Sequence, residues 1–266
     1  MTSPSTHNNA QETQLMAITG LVLTYNGERL LDEALQSLSF CSEILLVDSG
    51  STDGTLDIAK KHNARVVFNA WKGAIEQHKF AQTQISTEWV VTIDQDEMIS
   101  PALRESIMNK LANPDENLDG YYCPRRSWYL DRFIMHSGWY PDRLYRVFRH
   151  GRITIGGVRP HEELRPIGKA GELSGDIIHY PYENFFQHMG KINEYTQDAA
   201  EDLYSRGKRG SLGSAIGHGI GKFFKQYILK AGFLDGRAGF IVAVHGFFYT
   251  FQKYIRLVEL EMKDRK

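Results

Sequence analysis

An acidic segment, Asp94-Gln95-Asp96-Glu97, directly follows the apolar run 89–93. In extended backbone, residues i and i+2 point to the same side, so Asp94 and Asp96 share a face and Glu97 lies beside them. Carboxylates placed in this way suit Mg²⁺ or Mn²⁺, which commonly takes one or two protein carboxylates and completes its shell with water and phosphate oxygens. The segment therefore predicts a divalent-metal site, with a solvated acidic turn as the alternative interpretation.

Two further polar segments follow apolar runs in the same manner. Thr24-Tyr25-Asn26 comes after residues 17–23, and the segment 48–54 (DSGSTDG) comes after residues 43–47. Each segment alone is also typical of a turn with helix-capping residues. Three such segments, each placed directly after a predicted strand, favour a ligand site over three unrelated turns.

The elements that must position these segments alternate along the chain. Apolar runs predict strands at 17–23, 43–47, 65–68 and 88–93, and helical spacing predicts helices at 28–39, 55–62 and 74–85. This alternation predicts an α/β fold with a parallel, doubly wound sheet. Ligands of such sheets bind outside the carboxyl ends of the strands, which is where all three polar segments fall.

The composition is that of a packed, water-soluble protein. The chain has 266 residues, of which 42% are hydrophobic and 24% charged, with a net charge of −1. These values exclude a disordered chain, a fibre and a multi-span membrane protein. Two cysteines make neither a disulfide framework nor a thiolate metal site, so we expect a reducing cytoplasm. Residues 1–15 are polar and predict a disordered arm, not a signal peptide.

The charge is distributed unevenly. Residues 206–266 contain twelve Lys or Arg and four Asp or Glu, a net charge of +8, which leaves −9 on the rest of the chain. Within this tail the longest apolar run, 238–251, is too short to be a persuasive membrane span. Basic residues flank it, so residues 222–256 predict helices that lie on an anionic membrane surface. The alternative is a helical pair packed on the catalytic domain or on a second subunit, as in a homo-oligomer. Nucleic-acid binding is not expected, because the tail aromatics lie within apolar runs.

The polar segments after strands one, two and four resemble family 2 glycosyltransferases. The similarity continues through Gly138–Arg143, Arg146–Arg149, His161-Glu162 and the tail, and it covers about residues 17–260. Within the family it is greatest to the bacterial branch that adds a β-linked sugar, often glucose, to the lipopolysaccharide core. The resemblance implies the GT-A fold, a mixed, mainly parallel sheet at 16–205 followed by a membrane-associating helical extension at 206–266.

The resemblance also implies roles for individual residues. The chain would be an inverting enzyme that uses a nucleotide sugar, such as UDP-glucose, and Mg²⁺ or Mn²⁺. It would act on a lipid-linked saccharide such as the lipopolysaccharide inner core, at the cytoplasmic face of the inner membrane. Asp94 would lie by the ribose and diphosphate, and Asp96 would be the main metal ligand. Other donor-binding residues would be Thr24, Tyr25, Asn26, Asp48, Asp53, Gln77 and Lys79.

An inverting transfer needs a carboxylate that removes the proton from the attacking hydroxyl. We expect this base from the acceptor side, where Glu162 is the first candidate, Asp142 the second and Glu163 the third. The segment departs from the Val-His-Glu motif of the family, because Arg159 and Pro160 are inserted and the Glu is doubled. His179 is a candidate metal or acceptor residue, with a purely structural histidine as the alternative.

Two other classes of function remain open at this level. A sugar nucleotidyltransferase has a related fold but is expected to carry a glycine-rich basic loop after the first strand. The segment 24–29 (TYNGER) matches such a loop poorly. A non-catalytic nucleotide-binding protein at the membrane is the second alternative. The retained acidic side chains argue against it.

Overall fold

The computed structural model describes residues 17–158 and 161–264, without the side chains of Val158, His161 and Glu162. The predicted disordered arm at 1–15 therefore lies outside the described residues. The helices are α1 to α7, at Leu31–Ser37, Thr55–Lys61, Ala74–Gln82, Pro101–Ala112, Phe185–Ser205, Leu212–Phe224 and Gly236–Asp264. The strands are β1 to β12, at Ile18–Thr24, Glu43–Asp48, Arg65–Phe68, Trp89–Asp94, Glu97–Ile99, Leu118–Tyr129, Arg132–Phe133, Asp142–Arg149, Ile153–Val158, His161–Pro166, Lys169–Glu172 and Ile177–His179.

The first half of the main sheet is parallel, as the alternating pattern predicts. Its strand order is β3-β2-β1-β4, with β1 pairing β2 on one side and β4 on the other. Helices connect the consecutive strands β1, β2, β3 and β4. This arrangement brings the carboxyl ends of β1, β2 and β4 to one edge.

The second half makes the sheet mixed. Strand β8 pairs antiparallel with β4, and the order continues β8-β6-β12-β5, with β7 and β11 also paired to β6. Strands β9 and β10 form a separate hairpin, in which Glu162 stands opposite Gly157. The α/β class and the mixed, mainly parallel GT-A-type sheet are confirmed.

Apolar residues alternate between the two faces of β1. Ile18 and Val22 pack into one core cluster with α1 and α4, whereas Leu21 packs into a second cluster on the opposite face with Val90 and Phe148. Such alternation is expected of a strand buried on both faces. The sheet is therefore covered on both sides, and only its edge at the strand ends stays open for a ligand.

The basic tail folds as helices packed onto this domain. After α6 the chain forms a π-helical turn at Lys225–Leu229 and a 3₁₀ turn at Gly232–Asp235, and then the long α7. Ala238 and Val242, from the apolar run 238–251, are buried in a cluster with Tyr129 and Ile134. Among the described residues, no helix is both long and apolar enough to cross a membrane.

Candidate active site

The carboxyl ends of three parallel strands place the predicted polar segments together. In the strand register Thr24 is opposite Asp48, and Leu23 is opposite Asp94. The Thr24 hydroxyl donates to Gln95 Oε1 at 2.7 Å, and the Tyr25 amide donates to the same oxygen at 2.9 Å. The expectation that segments 24–26, 48–54 and 94–97 share one edge is confirmed.

The loops after β1 and β2 are joined by hydrogen bonds. The Asn26 amide donates to Ser51 Oγ at 2.8 Å, and Asn26 Oδ1 accepts from the Thr52 amide at 2.9 Å. Asp53 Oδ2 accepts from the Glu28 amide at 3.2 Å. Because these bonds use the polar side chains internally, they fix the shape of the loops before any ligand binds.

Asp48 and Tyr25, two of the predicted donor-binding residues, differ sharply in exposure. Asp48 is buried, and its carboxylate accepts hydrogen bonds from the Gly50 amide and from both the amide and the hydroxyl of Ser51. Tyr25 is 56% exposed, so its ring is available to a ligand. The edge thus combines a rigid, hydrogen-bonded floor with an exposed aromatic side chain.

Two arginines neutralise the acidic groups on one side of the cluster. Arg146 lies 2.8 Å from Asp94 and 3.3 Å from Glu97, which is fully buried. Arg125 contacts Glu97 at 2.7 Å and Asp142 at 2.6 Å. Burial alone would raise the pKa of Asp94, but the Arg146 guanidinium holds that pKa well below its usual range. These residues form a continuous ion-pair network from β4 through β8 to β6.

Asp96 has a different environment. Burial and the negative charges of Asp94 and Glu97 raise the pKa of Asp96 to about 6. Within the described part of the chain, its one ion-pair neighbour is His179, whose Nε2 lies 3.8 Å from Oδ1. His179 Nδ1 is held by the Ser127 hydroxyl at 2.9 Å, and burial lowers the pKa of His179 well below its ordinary value. Asp96 therefore faces a neutral imidazole, and among the described residues no Lys or Arg lies within ion-pair distance of it, although the more distant Lys191 and Arg29 act to lower its pKa.

This pair is suited to a divalent cation, because carboxylate oxygen and neutral imidazole nitrogen are both established ligands of Mn²⁺-type metals. The described residues contain no group of three or more His, Cys, Asp or Glu side chains that could hold a metal ion by themselves. A cation at Asp96 would therefore need further ligands from a bound substrate. That requirement agrees with the way Mg²⁺ is held in sites that bind phosphate.

Three cavities meet around the acidic cluster. The first, of about 330 Å³, is lined by Asp94, Arg146 and Asp142, and the second, of about 320 Å³, by Asp142, His179 and Trp139. The third, of about 220 Å³, is lined by Asp96 together with Asn26, Gly27, Arg29 and Lys191. Asp142 lines the first and the second cavity, which places its carboxylate where two bound groups could meet.

The remaining predicted residues lie in varied positions. Gln77 is buried, where Nε2 donates to Ser49 Oγ and to the Asn69 carbonyl. Lys79 is exposed and pairs with Glu76 at 2.8 Å, whereas its neighbour His78 lines the first cavity. Gln77 thus supports the loop after β2 from within, and Lys79 is not among the side chains that line the three cavities.

The candidate bases lie on the hairpin or beside it. Glu162 belongs to β10, but its side chain lies outside the described part of the structure. Glu163 lines the first cavity and pairs with Arg165 at 2.8 Å. Asp142 accepts two hydrogen bonds from Arg125, at 3.0 and 2.6 Å, both at Oδ2. The roles of all three carboxylates remain predictions.

Three cationic residues at the site were not among those predicted from the sequence. Arg125 reaches the cluster from the middle of β6, and Arg29 and Lys191 add positive charge near Asp96 from the loop before α1 and from α5. Lys191 also donates to the Pro181 carbonyl at 3.2 Å. Strand pairing and helix packing in the second half of the chain bring Arg125 and Lys191 near β4, and no local motif signals it, whereas Arg29 lies in the loop between β1 and α1.

Comparison with known proteins agrees with this geometry. The family model described as "Glycosyl transferase family 2" matches residues 21–161, which is more than half of the chain. The chain therefore belongs to glycosyl transferase family 2, and it is a glycosyltransferase. This assignment confirms the resemblance seen in the sequence and favours sugar transfer over the nucleotidyltransferase and non-catalytic alternatives.

Individual relatives are similar over most of the length of the chain. The lipopolysaccharide core biosynthesis glycosyltransferase LpsC of Rhizobium meliloti (strain 1021) is 29% identical, over 89% of this chain and 90% of that protein. An uncharacterized glycosyltransferase of Rickettsia typhi, RT0209, is 28% identical over 93% of this chain and 89% of its own. Among solved structures, glucosyl-3-phosphoglycerate synthase from Mycobacterium tuberculosis in complex with Mn²⁺ and UDP-glucose is similar over 43% of this chain and 44% of that chain, with 24% identity and a TM-score of 0.34.

Proposed function

We propose that this glycosyltransferase moves glucose from UDP-glucose, with inversion and with Mg²⁺ or Mn²⁺, onto a lipid-linked saccharide such as the lipopolysaccharide inner core. The observation that carries the proposal is the Asp96–His179 pair beside the ends of three parallel strands, next to cavities that share Asp142. The name of the relative LpsC supports a lipopolysaccharide acceptor.

The nucleoside would bind over the loops after β1 and β2. The exposed Tyr25 ring offers a stacking surface for the base, and aromatic stacking on a base contributes about 1–3 kcal/mol. Thr24, Asn26, Asp48 and Asp53 would hold the base and ribose, in part by fixing the backbone amides around them. Gln77 would support this floor from below, and Asp94 would lie by the ribose and diphosphate.

Asp96 and His179 would hold the metal together with oxygens of the diphosphate. When bound, the metal neutralises the negative charge that develops on the departing nucleoside diphosphate. Arg29 and Lys191 add positive charge on the same side of Asp96, and Lys79 is a further candidate contact for the donor. Electrostatic stabilisation of the leaving group is the largest contribution that this edge can make to the rate.

The acceptor would enter from the side of the β9–β10 hairpin and the second cavity. We assign proton removal from the attacking hydroxyl to Glu162, with Asp142 as the second candidate and Glu163 as the third. Asp142 is held at Oδ2 by Arg125, which suits a fixed group that orients the acceptor. Attack on the face of the sugar opposite the diphosphate inverts the anomeric carbon.

Transfer from radiolabelled UDP-glucose to a core oligosaccharide truncated after the inner-core heptoses tests this function. We expect Mn²⁺-dependent transfer and a β-linked product by NMR. Glu162→Gln should lower kcat at least about a hundredfold with little change in the donor KM, because general base catalysis contributes on the order of 10²–10⁴. The neighbouring Glu163→Gln is the matched control and should keep most of the rate. A full rate in Glu162→Gln would remove Glu162 from the role of base, and an α-linked product would exclude inversion.

A further inference from the structure

An apolar row covers the outer face of α6 and of the turn that follows it. An apolar side chain recurs every four residues, so each lies next to the following one on the helix surface: Leu212, Ile216, Ile220, Phe224 and Ile228. Their exposed fractions range from 42% to 61%. A row of this kind normally faces a core, but here it faces outward.

The row continues into the turns beyond α6. Leu229 is 78% exposed, and Phe233 and Leu234 are 49% and 59% exposed. On α6 the row is bordered by Gly217 and Gly221, and in the described structure no atom outside the helix lies within 4 Å of where their Cβ atoms would be. Nothing in the described part of the chain covers this surface, which we call the α6 face.

The segment that contains the α6 face carries charged side chains of positive sign only. Residues 206–234 contain six Lys or Arg and not a single Asp or Glu. Among the six, Lys222, Lys225 and Lys230 flank the second half of the apolar row. A basic segment with exposed Leu, Ile and Phe is typical of a helix that lies in the head-group region of an anionic bilayer. Each Lys or Arg near such a surface contributes about 1 kcal/mol of attraction.

The α6 face is tied directly to the second cavity. The Lys230 carbonyl accepts from the Ser137 amide at 2.9 Å, and the buried Asp235 carboxylate accepts from the amides of Met135 and His136. The next residues along this loop, Gly138 and Trp139, line the second cavity beside Asp142. A bilayer bound at the α6 face would therefore lie next to the loop that borders the cavity.

We propose that the α6 face is the surface by which this enzyme docks on an anionic phospholipid bilayer. Docking there places the second cavity beside the lipid head groups. The benefit for a lipid-linked acceptor rests on the function proposed above, whereas the docking itself does not. The run 238–251 is divided between core and surface, since Ala238, Val242 and Ala243 are buried whereas Phe240 and Phe248 are 47% and 45% exposed.

Flotation of the full chain with vesicles tests the proposal. Wild-type protein should float with vesicles of equal parts phosphatidylglycerol and phosphatidylcholine, and poorly with phosphatidylcholine alone. The triple variant Ile216→Ser, Ile220→Ser, Phe224→Ser should bind at least about tenfold more weakly, because it removes the apolar anchor. The matched control Leu56→Ser, Val66→Ser, Ile167→Ser removes exposed apolar side chains elsewhere and should bind as wild type.

A charge reversal separates a bilayer from a protein partner. Lys225→Glu with Lys230→Glu should weaken binding to the anionic vesicles about tenfold or more, and Lys60→Glu with Lys110→Glu should not. Equal binding to neutral and anionic vesicles, or no binding, overturns the proposal. A concentration-dependent dimer in sedimentation equilibrium that is lost in the apolar triple variant also overturns it, because a second copy would then occupy the face.

Two measurements keep docking and catalysis distinguishable. The apolar triple variant should bind UDP with Mn²⁺ as wild type does, which also shows that it is folded. Asp96→Asn should float with vesicles as wild type does. Loss of vesicle binding in Asp96→Asn would contradict a docking surface that is independent of the donor site.

Discussion

The strand-end edge and the α6 face expose opposite kinds of side chain. At the edge, polar side chains are already bonded to one another, as in the largely buried network of Arg125, Glu97 and Arg146. At the α6 face, Ile216, Ile220 and Phe224 are exposed in a segment without acidic residues. The edge is therefore suited to one small, charged ligand bound in a single orientation. The α6 face is suited to a bilayer, which needs no specific hydrogen bonds.

The ion-pair network should be the feature of the edge that is most sensitive to mutation. Arg125→Ala leaves the fully buried Glu97 with one arginine and Asp142 with none, so we expect a loss of about 3–5 kcal/mol in the free energy of unfolding. Urea denaturation measures it. Arg143→Ala is the control, because its pair with Glu172 is exposed and should contribute about 0–1 kcal/mol. Equal losses in the two variants would show that the network is not stabilising.

Two leucines sharpen the contrast within the C-terminal helices. Leu257 of α7 is fully buried, so Leu257→Ala should cost about 2–5 kcal/mol of stability through lost burial and a cavity. Leu229 is 78% exposed, and Leu229→Ala should change stability by less than about 0.5 kcal/mol. Thermal and urea unfolding of the two variants test this. A similar cost at both positions would mean that the α6 face is covered by protein.

Acid should weaken the contact between α5, α7 and β6. His188 Nδ1 lies 2.9 Å from the Tyr129 hydroxyl and 2.9 Å from His245 Nδ1, and burial lowers the pKa of His188 to about 3. Below pH 6.5 the unfolded histidine gains a proton that the folded one does not, so stability falls as the pH decreases. His188 alone should account for a loss of about 2 kcal/mol between pH 7 and pH 5.

Urea unfolding at the two pH values measures this effect. His188→Gln should flatten the pH dependence relative to wild type, since one buried neutral imidazole is removed. His218→Gln is the control, because His218 stacks on Tyr254 at the exposed surface of α6. An unchanged pH dependence in His188→Gln would show that folding does not lower the pKa of His188.

The smallest effects concern glycines on the two C-terminal helices. Gly217→Ala on the open α6 face should stabilise the protein by about 0.5–1 kcal/mol, because alanine favours the helix and meets no neighbour. Gly246→Ala on α7 should destabilise it, because the new Cβ would collide with Gln226 Oε1. Differential scanning calorimetry measures the unfolding temperature of both variants. We expect it to rise in Gly217→Ala and to fall in Gly246→Ala. Destabilisation by Gly217→Ala would contradict an open face.

Much of the parallel half of the sheet, β1 to β4, could be predicted from sequence because its signals are local. The run 17–23 predicts β1, found at Ile18–Thr24, and the run 43–47 predicts β2, found at Glu43–Asp48. Each polar segment lies next to the strand that positions it. The parallel topology then brings Thr24, Asp48 and Asp94 together without further information.

The rest of the site depends on contacts that no local pattern encodes. Arg125 and His179 reach the cluster because β6 pairs with β8 and β12, across separations of 28 residues or more from Glu97 and Asp96. The apolar row of α6 has the period of a core helix, and periodicity alone does not say whether such a face is covered. The sequence also placed the membrane surface at 222–256, around a run whose inner face is buried.

We expect Asp96 to hold a divalent metal that binds the donor diphosphate. Isothermal calorimetry of UDP, with and without Mn²⁺, tests it on wild type, Asp96→Asn and the exposed control Asp57→Asn. We expect Mn²⁺ to tighten UDP binding to wild type and to Asp57→Asn. In the presence of Mn²⁺, Asp96→Asn should bind UDP at least about tenfold more weakly than wild type. GDP, ADP and dTDP in the same series define the nucleotide. An Asp96→Asn variant that binds UDP with Mn²⁺ as tightly as wild type would contradict the account.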